Sequence, residues 1–167
     1  MNWIVTAIVV VVLLDLAVVG GLWALAAYSK ANPPSDAGPG RLARSPKRNV
    51  VGSLVDRPAL RVSPLGFGGG KGEADRAWAA ARAAVLELPK TRIVREAPGY
   101  LHAECASAIF GFVDDLELEF APGGQAIHLR SASRVGRSDF GANRGRIERL
   151  REVYLEILAA GGGGNDE

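Results

Sequence analysis

The chain has a single cysteine, two histidines, and no lysine or arginine ahead of its longest apolar run. One thiol, Cys105, excludes an intramolecular disulfide and any multi-cysteine metal cluster, and it leaves the redox compartment unassigned. Imidazole and carboxylate are competent ligands, but His102 and His128 have no tight ligand spacing around them, so no metal is assigned. A net charge of only +2 argues against a generally basic nucleic-acid binder. Phosphate-loop motifs are also incomplete. In Gly66 to Gly72 a Walker loop would need Gly where Leu65 stands and Ser or Thr where Gly72 stands, and neither Gly66 nor Gly68 begins a full Gly-x-Gly-x-x-Gly. No cofactor is expected.

At 167 residues there is room for one domain with appendages. Its charge is unevenly placed. Thr91 to Phe120 sets Arg92 and Arg95 against Glu96, Glu104, Asp114, Asp115, Glu117 and Glu119, whereas Arg130 to Arg151 holds seven arginines against Asp139 and Glu148. An acidic middle thus faces a basic end.

Trp3 to Tyr28 is apolar except for Thr6 and Asp15, and as a helix it would extend about 39 Å, enough to cross a bilayer. Ala24-Leu25-Ala26 offers a small-x-small cleavage pattern. However, the apolar run exceeds the roughly 7 to 15 residues of a signal h-region and lacks a basic lead, which favours an uncleaved anchor. Lys30, Arg41, Arg44, Lys47 and Arg48 all follow the run, and the positive-inside rule taken alone puts the rest of the chain in the cytoplasm. Export signals override that rule, so the side stays open. Asp15 near mid-span costs about 2.5 to 3.5 kcal/mol on insertion scales. Pairing with a partner helix or a second copy would offset the cost, aided by the small pairs Ala17/Gly21 and Gly20/Ala24; a protonated Asp tolerated in a very apolar helix is the alternative.

Asn32 to Gly40 has the Pro, Gly and small polar content of a linker. Leu60 to Phe67 reads as an irregular or edge strand because of Pro64. Glu73 to Leu88 is the clearest helix: Ala74, Ala77, Trp78, Ala81, Val85 and Leu88 recur at three- and four-residue intervals, and Pro89 stops the run. Trp78 is then a core anchor. Four strands follow, Thr91 to Glu96, Tyr100 to Ser107, Phe112 to Phe120 and Gln125 to Ser131, with turn residues at Pro98-Gly99 and Ala121 to Gly124.

Alternation assigns the sheet faces. Leu101, Ala103, Cys105, Leu116, Leu118, Phe120, Ile127 and Leu129 share one; His102, Glu104, Glu117, Glu119, His128 and Arg130 share the other. Two registers of the last hairpin fit this parity. One puts Glu117 opposite His128 and Asp115 opposite Arg130; the other puts Glu119 opposite His128 and Glu117 opposite Arg130. His102, Glu104, Glu117 and His128 form a candidate polar site, and His with Glu can do acid-base work, but no nucleophile arrangement accompanies them. Asp114 shares the apolar parity, so it needs either a bulge or a basic partner, for which Arg134 and Arg137 are available.

Arg130 to Arg146 carries the chain from the last strand into a helix with an Ile147, Leu150, Tyr154, Ile157 and Leu158 stripe. Gly136 suits a turn, Ser138 an N-cap, and Asp139 the first helical turn. Arg130, Ser131, Ser133, Arg134, Arg137, Ser138, Asp139, Asn143 and Arg144 are the candidate ligand or partner site, since backbone N–H groups, hydroxyls and guanidiniums suit phosphate or carboxylate. Pairing of these arginines with the acidic strands is the competing and commoner arrangement.

Tyr100-Leu101-His102-Ala103-Glu104, Phe112-Val113-Asp114-Asp115 and the pattern Arg-Ser-x-Ser-Arg-x-Gly-x-Ser-Asp-x-Gly-x-Asn-Arg from Arg130 to Arg144 resemble the family catalogued as domain of unknown function 1499, which has bacterial and plastid members. The likeness spans Pro89 to Tyr154. Where relatives often carry a Cys-containing Pro-Asn-Cys-Val-Ser-like segment, this chain has Ser45 to Ser53 without Cys. The resemblance implies no reaction and transfers no catalytic residues.

The expected fold is α+β: a four-stranded antiparallel sheet, five-stranded with Leu60 to Phe67, with two helices packed on one face and a single transmembrane helix before it. The expected divisions are an anchor at 1–30, a flexible basic linker at 31–58, the α+β domain at 59–160 and a disordered tail at 161–167. The leading functional reading is a non-enzymatic binding or assembly module, single-pass in a membrane, the inner one in a bacterium. Its expected partners are the membrane, another transmembrane helix contacting Asp15, Ala17, Gly20, Gly21 and Ala24, and an anionic ligand, with no nucleic acid. The alternative is an enzyme using the open His- and Glu-bearing face.

Overall fold

The computed structural model describes residues 2–34, 37–42, 49–69, 72–121, 123 and 125–162. Helix α1, Trp3–Ala31, begins where the Asn2 side chain accepts the Ile4 N–H and ends where the Asn32 amide and backbone N–H both reach the Tyr28 carbonyl. Pro33 and Pro34 cannot continue it. It is long and apolar enough to cross a membrane, and nothing in its most apolar stretch is buried against the rest of the chain. Only its last third touches the domain, through Leu22, Ala26 and Ser29 at helical spacing. Of the basic residues bearing on orientation, Arg44, Lys47 and Arg48 lie outside the described residues, as does Ser45 to Arg48 of the segment where relatives carry Cys and Lys71 of the glycine-rich loop.

The domain is α+β with a six-stranded antiparallel sheet. Strands β3 (Thr91–Ala97), β4 (Tyr100–Ala106), β5 (Val113–Phe120) and β6 (Ala126–Ser133) form a meander, and two short strands, β1 (Val50–Gly52) and β2 (Leu65–Gly66), both pair with β6. The sheet therefore has two more members than the four-strand expectation. β2 falls within the irregular Leu60 to Phe67 segment, whereas β1 falls in what reads as linker. Three residues give no alternation to detect, yet all three of β1 are buried.

Helix α2 (Glu73–Leu86) and helix α3 (Ala142–Gly162) pack on one sheet face. Ala77, Ala80, Ala81 and Ala84 are all buried on α2, a small-residue face that lets the two helices approach closely. Against them lie Leu101, Ala103, Cys105, Leu116, Leu118, Ile127 and Leu129, the apolar set given by alternation. Leu116, Leu118 and Leu129 are fully buried, worth about 1.5–3 kcal/mol each. Trp78 sits at the rim of this core rather than its centre, 4.8 Å from the Phe120 ring centroid. α3 runs through Gly162, so the expected tail at 161–167 begins within helix; 163–167 lie outside the described residues.

The last hairpin adopts the second register, with Phe120 opposite Ile127, Glu119 opposite His128 and Glu117 opposite Arg130. A two-residue slip leaves every side chain on its own face, so alternation alone could not choose. The observed choice sets apolar Phe120 against apolar Ile127 and acid against base at the centre of the opposite face.

Candidate functional site

The polar sheet face is not open. Glu117 is fully buried, His102 is 7% exposed, and Arg130 is 2% exposed. Residues just after α1 form the roof. The Gly38 N–H donates to Glu117 Oε1 at 3.0 Å and the Gly40 N–H to Glu119 Oε1 at 2.6 Å, with Leu42 buried beside them. Of Asn32 to Gly40, expected to separate tether from domain, Gly38 and Gly40 bond to the sheet instead. Isolated carboxylates there would carry a large desolvation cost, so the roof supplies donors where water is excluded.

Under this roof the charges are matched residue by residue. Glu117 accepts from Tyr100 Oη at 2.5 Å and from Arg130 Nε at 2.7 Å, and Arg130 Nη2 completes a two-pronged pair with it. Burial and the Glu117 carboxylate push the Tyr100 phenol well above its ordinary range. Asp115 lies 2.7 Å from His102 Nε2 and accepts from Arg134 Nε at 3.0 Å and Nη2 at 2.8 Å. Burial alone would raise the Asp115 carboxyl, but hydrogen bonds from His102 and Arg134 outweigh burial and hold it low. Glu104 accepts from Arg134 and Arg92, each at 2.7 Å, and these bonds likewise hold it low against burial. Arg134 also donates to the Ser29 carbonyl of α1 at 2.9 Å. His128 meets the Ser53 hydroxyl at 3.0 Å, so the two imidazoles have separate partners.

Asp114 does point to the helix side, but Arg146 is its partner, at 2.8 Å, and not Arg134 or Arg137. Arg146 stands on α3 one turn past Asn143 and also donates to Ser131 Oγ and Asn143 Oδ1, each at 2.7 Å. The buried Asn143 amide donates to the Asn49 carbonyl at 3.1 Å and to Ser133 Oγ at 3.0 Å, and its oxygen accepts from Ser131. This network locks β1, β6 and α3 together. The cap of α3 is also shifted from expectation. The Asp139 carboxylate takes the N–H of Asn143 at 2.8 Å and of Gly141 at 3.3 Å, whereas Ser138 Oγ only accepts the Phe140 N–H at 3.3 Å. Burial would raise Asp139, but the backbone donors of Asn143 and Gly141 hold it low.

Six of the nine candidates in the Arg-rich stretch, Arg130, Ser131, Ser133, Arg134, Asp139 and Asn143, are thus committed to structure. Ser138 and Arg137 are exposed. Arg144 belongs to another place. It lines an open groove of about 790 Å³ between α3 and residues 53–64, together with Arg61, Arg151, Ser53, Ile147 and Glu148. Arg144 donates to the Ala59 carbonyl at 2.7 Å, Arg61 to those of Val55 at 2.8 Å and Asp56 at 3.2 Å, and Arg151 to those of Pro64 at 3.1 Å and Ser63. Carbonyls carry no net charge, and among the described residues no carboxylate lies within ion-pair distance of these three guanidiniums. Glu148, on the same wall, offsets one charge of three. Reasoning from sequence had no means of finding Arg61 and Arg151, which are about 90 residues apart in the chain and joined only by the fold.

The family model described as "Protein of unknown function (DUF1499)" matches residues 40–153, more than half of the chain and all of the sheet. A search among curated proteins finds no match.

Proposed function

The chain belongs to the DUF1499 family, and from that premise we propose that it is a membrane-anchored binding module that takes an anionic ligand, of phosphate or carboxylate chemistry, in the groove of Arg61, Arg144 and Arg151. One observation carries the reading: these three guanidiniums face one groove with no described carboxylate within ion-pair distance and only Glu148 on its wall to offset one charge of three, while Arg130, Arg134 and Arg146 are each neutralised by an acidic partner. The volume falls in the range of ligand sites, and guanidiniums suit two-pronged contacts to anions. The Arg-rich connection contributes to this site through Arg144.

Anchoring rests on α1, which would cross the membrane once, the inner membrane in a bacterium. Asp15, Ala17, Gly20, Gly21 and Ala24 are exposed on the helix, which supports pairing between transmembrane helices as a means of offsetting Asp15. The buried, roofed sheet face weighs against catalysis by His102, Glu104, Glu117 and His128. The test is a titration of inorganic phosphate, and separately of succinate, into the full chain in lipid nanodiscs, followed by thermal unfolding. Binding to the native state raises Tm with ligand concentration, and Arg144→Gln with Arg61→Gln should abolish that rise. An equal rise in the double variant, or none in the parent, would sink the proposal.

A further inference from the structure

One connection of the sheet carries exposed apolar side chains beside α1. The β4–β5 connection is a closed turn: the Ser107 N–H donates to the Phe112 carbonyl at 2.8 Å, and Ser107 Oγ accepts the Phe112 N–H at 2.9 Å. A turn so fixed nevertheless presents Ile109 to solvent at 77% exposure, with exposed Ala108 beside it. One of its aromatics touches α1 directly. Phe110 packs edge-on against Trp23 with centroids 5.8 Å apart, and Phe112 packs on Phe110 at 6.1 Å.

The apolar tip has a basic rim. Lys90 Nζ donates to the Ala108 carbonyl at 2.8 Å, and the Lys30 ammonium lies against Gly111, about where a Cβ on that residue would meet it. Aromatic rings beside lysines are the side chains that settle at a membrane–water boundary. Helix length places this cluster at that depth. Trp3 to Leu22 is about 20 residues, or roughly 30 Å of helix, the thickness of the hydrocarbon core, so Trp23 falls at the boundary and brings Phe110 with it. α1 seats on the start of β5, through Ser29 Oγ and the Val113 N–H, at the same end of the strands as this turn.

We propose that the Ile109–Phe110 tip inserts into the bilayer interface beside α1, giving the domain two membrane contacts and one fixed orientation. This rests on the reading of α1 as a membrane span. The occupant is lipid, because the tip continues the apolar surface of that span and carries ammonium groups at headgroup level.

The experiment places a nitroxide at Leu13→Cys, Ile109→Cys or Gln125→Cys in the full chain, reconstituted in vesicles of phosphatidylcholine and phosphatidylglycerol. Gln125 lies in the β5–β6 connection at the far end of the strands. Collision with oxygen, which concentrates in lipid, is compared with collision with a water-soluble nickel chelate. Leu13 and Ile109 should both favour oxygen severalfold more than Gln125 does. An aqueous Ile109 with a lipid-facing Leu13 overturns this inference alone, and an aqueous Leu13 overturns the anchoring reading with it. An Ile109 label shielded from both reagents means that protein, not lipid, covers the tip, which also overturns it.

Discussion

Arg134 joins the carboxyl end of α1 to the sheet: its guanidinium donates to the Ser29 carbonyl at 2.9 Å while two of its nitrogens hold Asp115 at 2.8 and 3.0 Å. The Ser29 carbonyl belongs to the last turn of α1, where carbonyls lack helical partners and the helix dipole is negative. One cation therefore satisfies a helix end and a buried carboxylate together. The apolar helix is fastened to the domain through this side chain and does not hang from a free linker.

Arg134→Ala should destabilise the domain by about 3–5 kcal/mol, because it leaves the buried Asp115 carboxylate without its arginine and with His102 alone. Arg134→Lys should recover only part of that loss, since an ammonium cannot reproduce the planar fork. Exposed Arg137→Ala should change stability by less than about 0.5 kcal/mol. Thermal unfolding of the three variants in nanodiscs measures this, and equal losses at 134 and 137 would contradict it.

Asn143→Ala should cost about 2–3 kcal/mol, since it removes a buried amide with both donors and its acceptor engaged. The loss should couple to Arg146→Gln, which shares Ser131 and the Asn143 oxygen. A double-mutant cycle with strictly additive effects would show that the network is not cooperative.

Acid should weaken the fold in one direction only. Asp115, Glu104 and Asp139 all have carboxyls held below their ordinary range, so each contributes stability above the unfolded value that disappears as pH falls through the folded value. Urea midpoints should be nearly level from about pH 7 to pH 5 and fall below about pH 4. A midpoint that rises on acidification below that point would refute the assignment.

Much of the fold is legible in the sequence because its strands alternate cleanly. Leu116, Glu117 and Leu118 announce two faces, and burial on the apolar one follows from period two. The polar face is where reading fails. Its roof comes from residues 37–42, which begin with linker composition and have no periodicity; Gly38 and Gly40 bind Glu117 and Glu119 through backbone N–H groups, which carry no signature in the sequence. Asp114 announces its need for a cation through its parity, but several arginines could answer. Only the path of α3 selects Arg146, and that path depends on the Asp139 cap and on Phe140 entering the left-handed region at φ 51° just before it.

Gly52→Ala tests whether β1 is integral to the sheet. Gly52 is the last residue of β1, paired opposite Arg130, and a Cβ there would stand 2.9 Å from the Leu129 carbonyl oxygen and 3.3 Å from the Arg130 Cα. Both are backbone atoms of β6 and cannot swing aside, so relief requires β1 to move away from β6. Separation would strain the Ser53 N–H bond to Leu129 and the Asn49 contact with Asn143 just before the strand. The expected cost is about 1–3 kcal/mol, typical of overpacking against a fixed wall. Gly66, in β2, has open space around its Cβ position, so Gly66→Ala should cost much less. Because β1 leads into residues 53–64, whose backbone carbonyls accept from Arg61, Arg144 and Arg151, Gly52→Ala should also loosen the groove and weaken the phosphate binding proposed for it. Amide hydrogen exchange across residues 49–53 separates the cases: faster exchange in Gly52→Ala but not in Gly66→Ala is expected, and unchanged exchange in both would mean that β1 tolerates the added methyl.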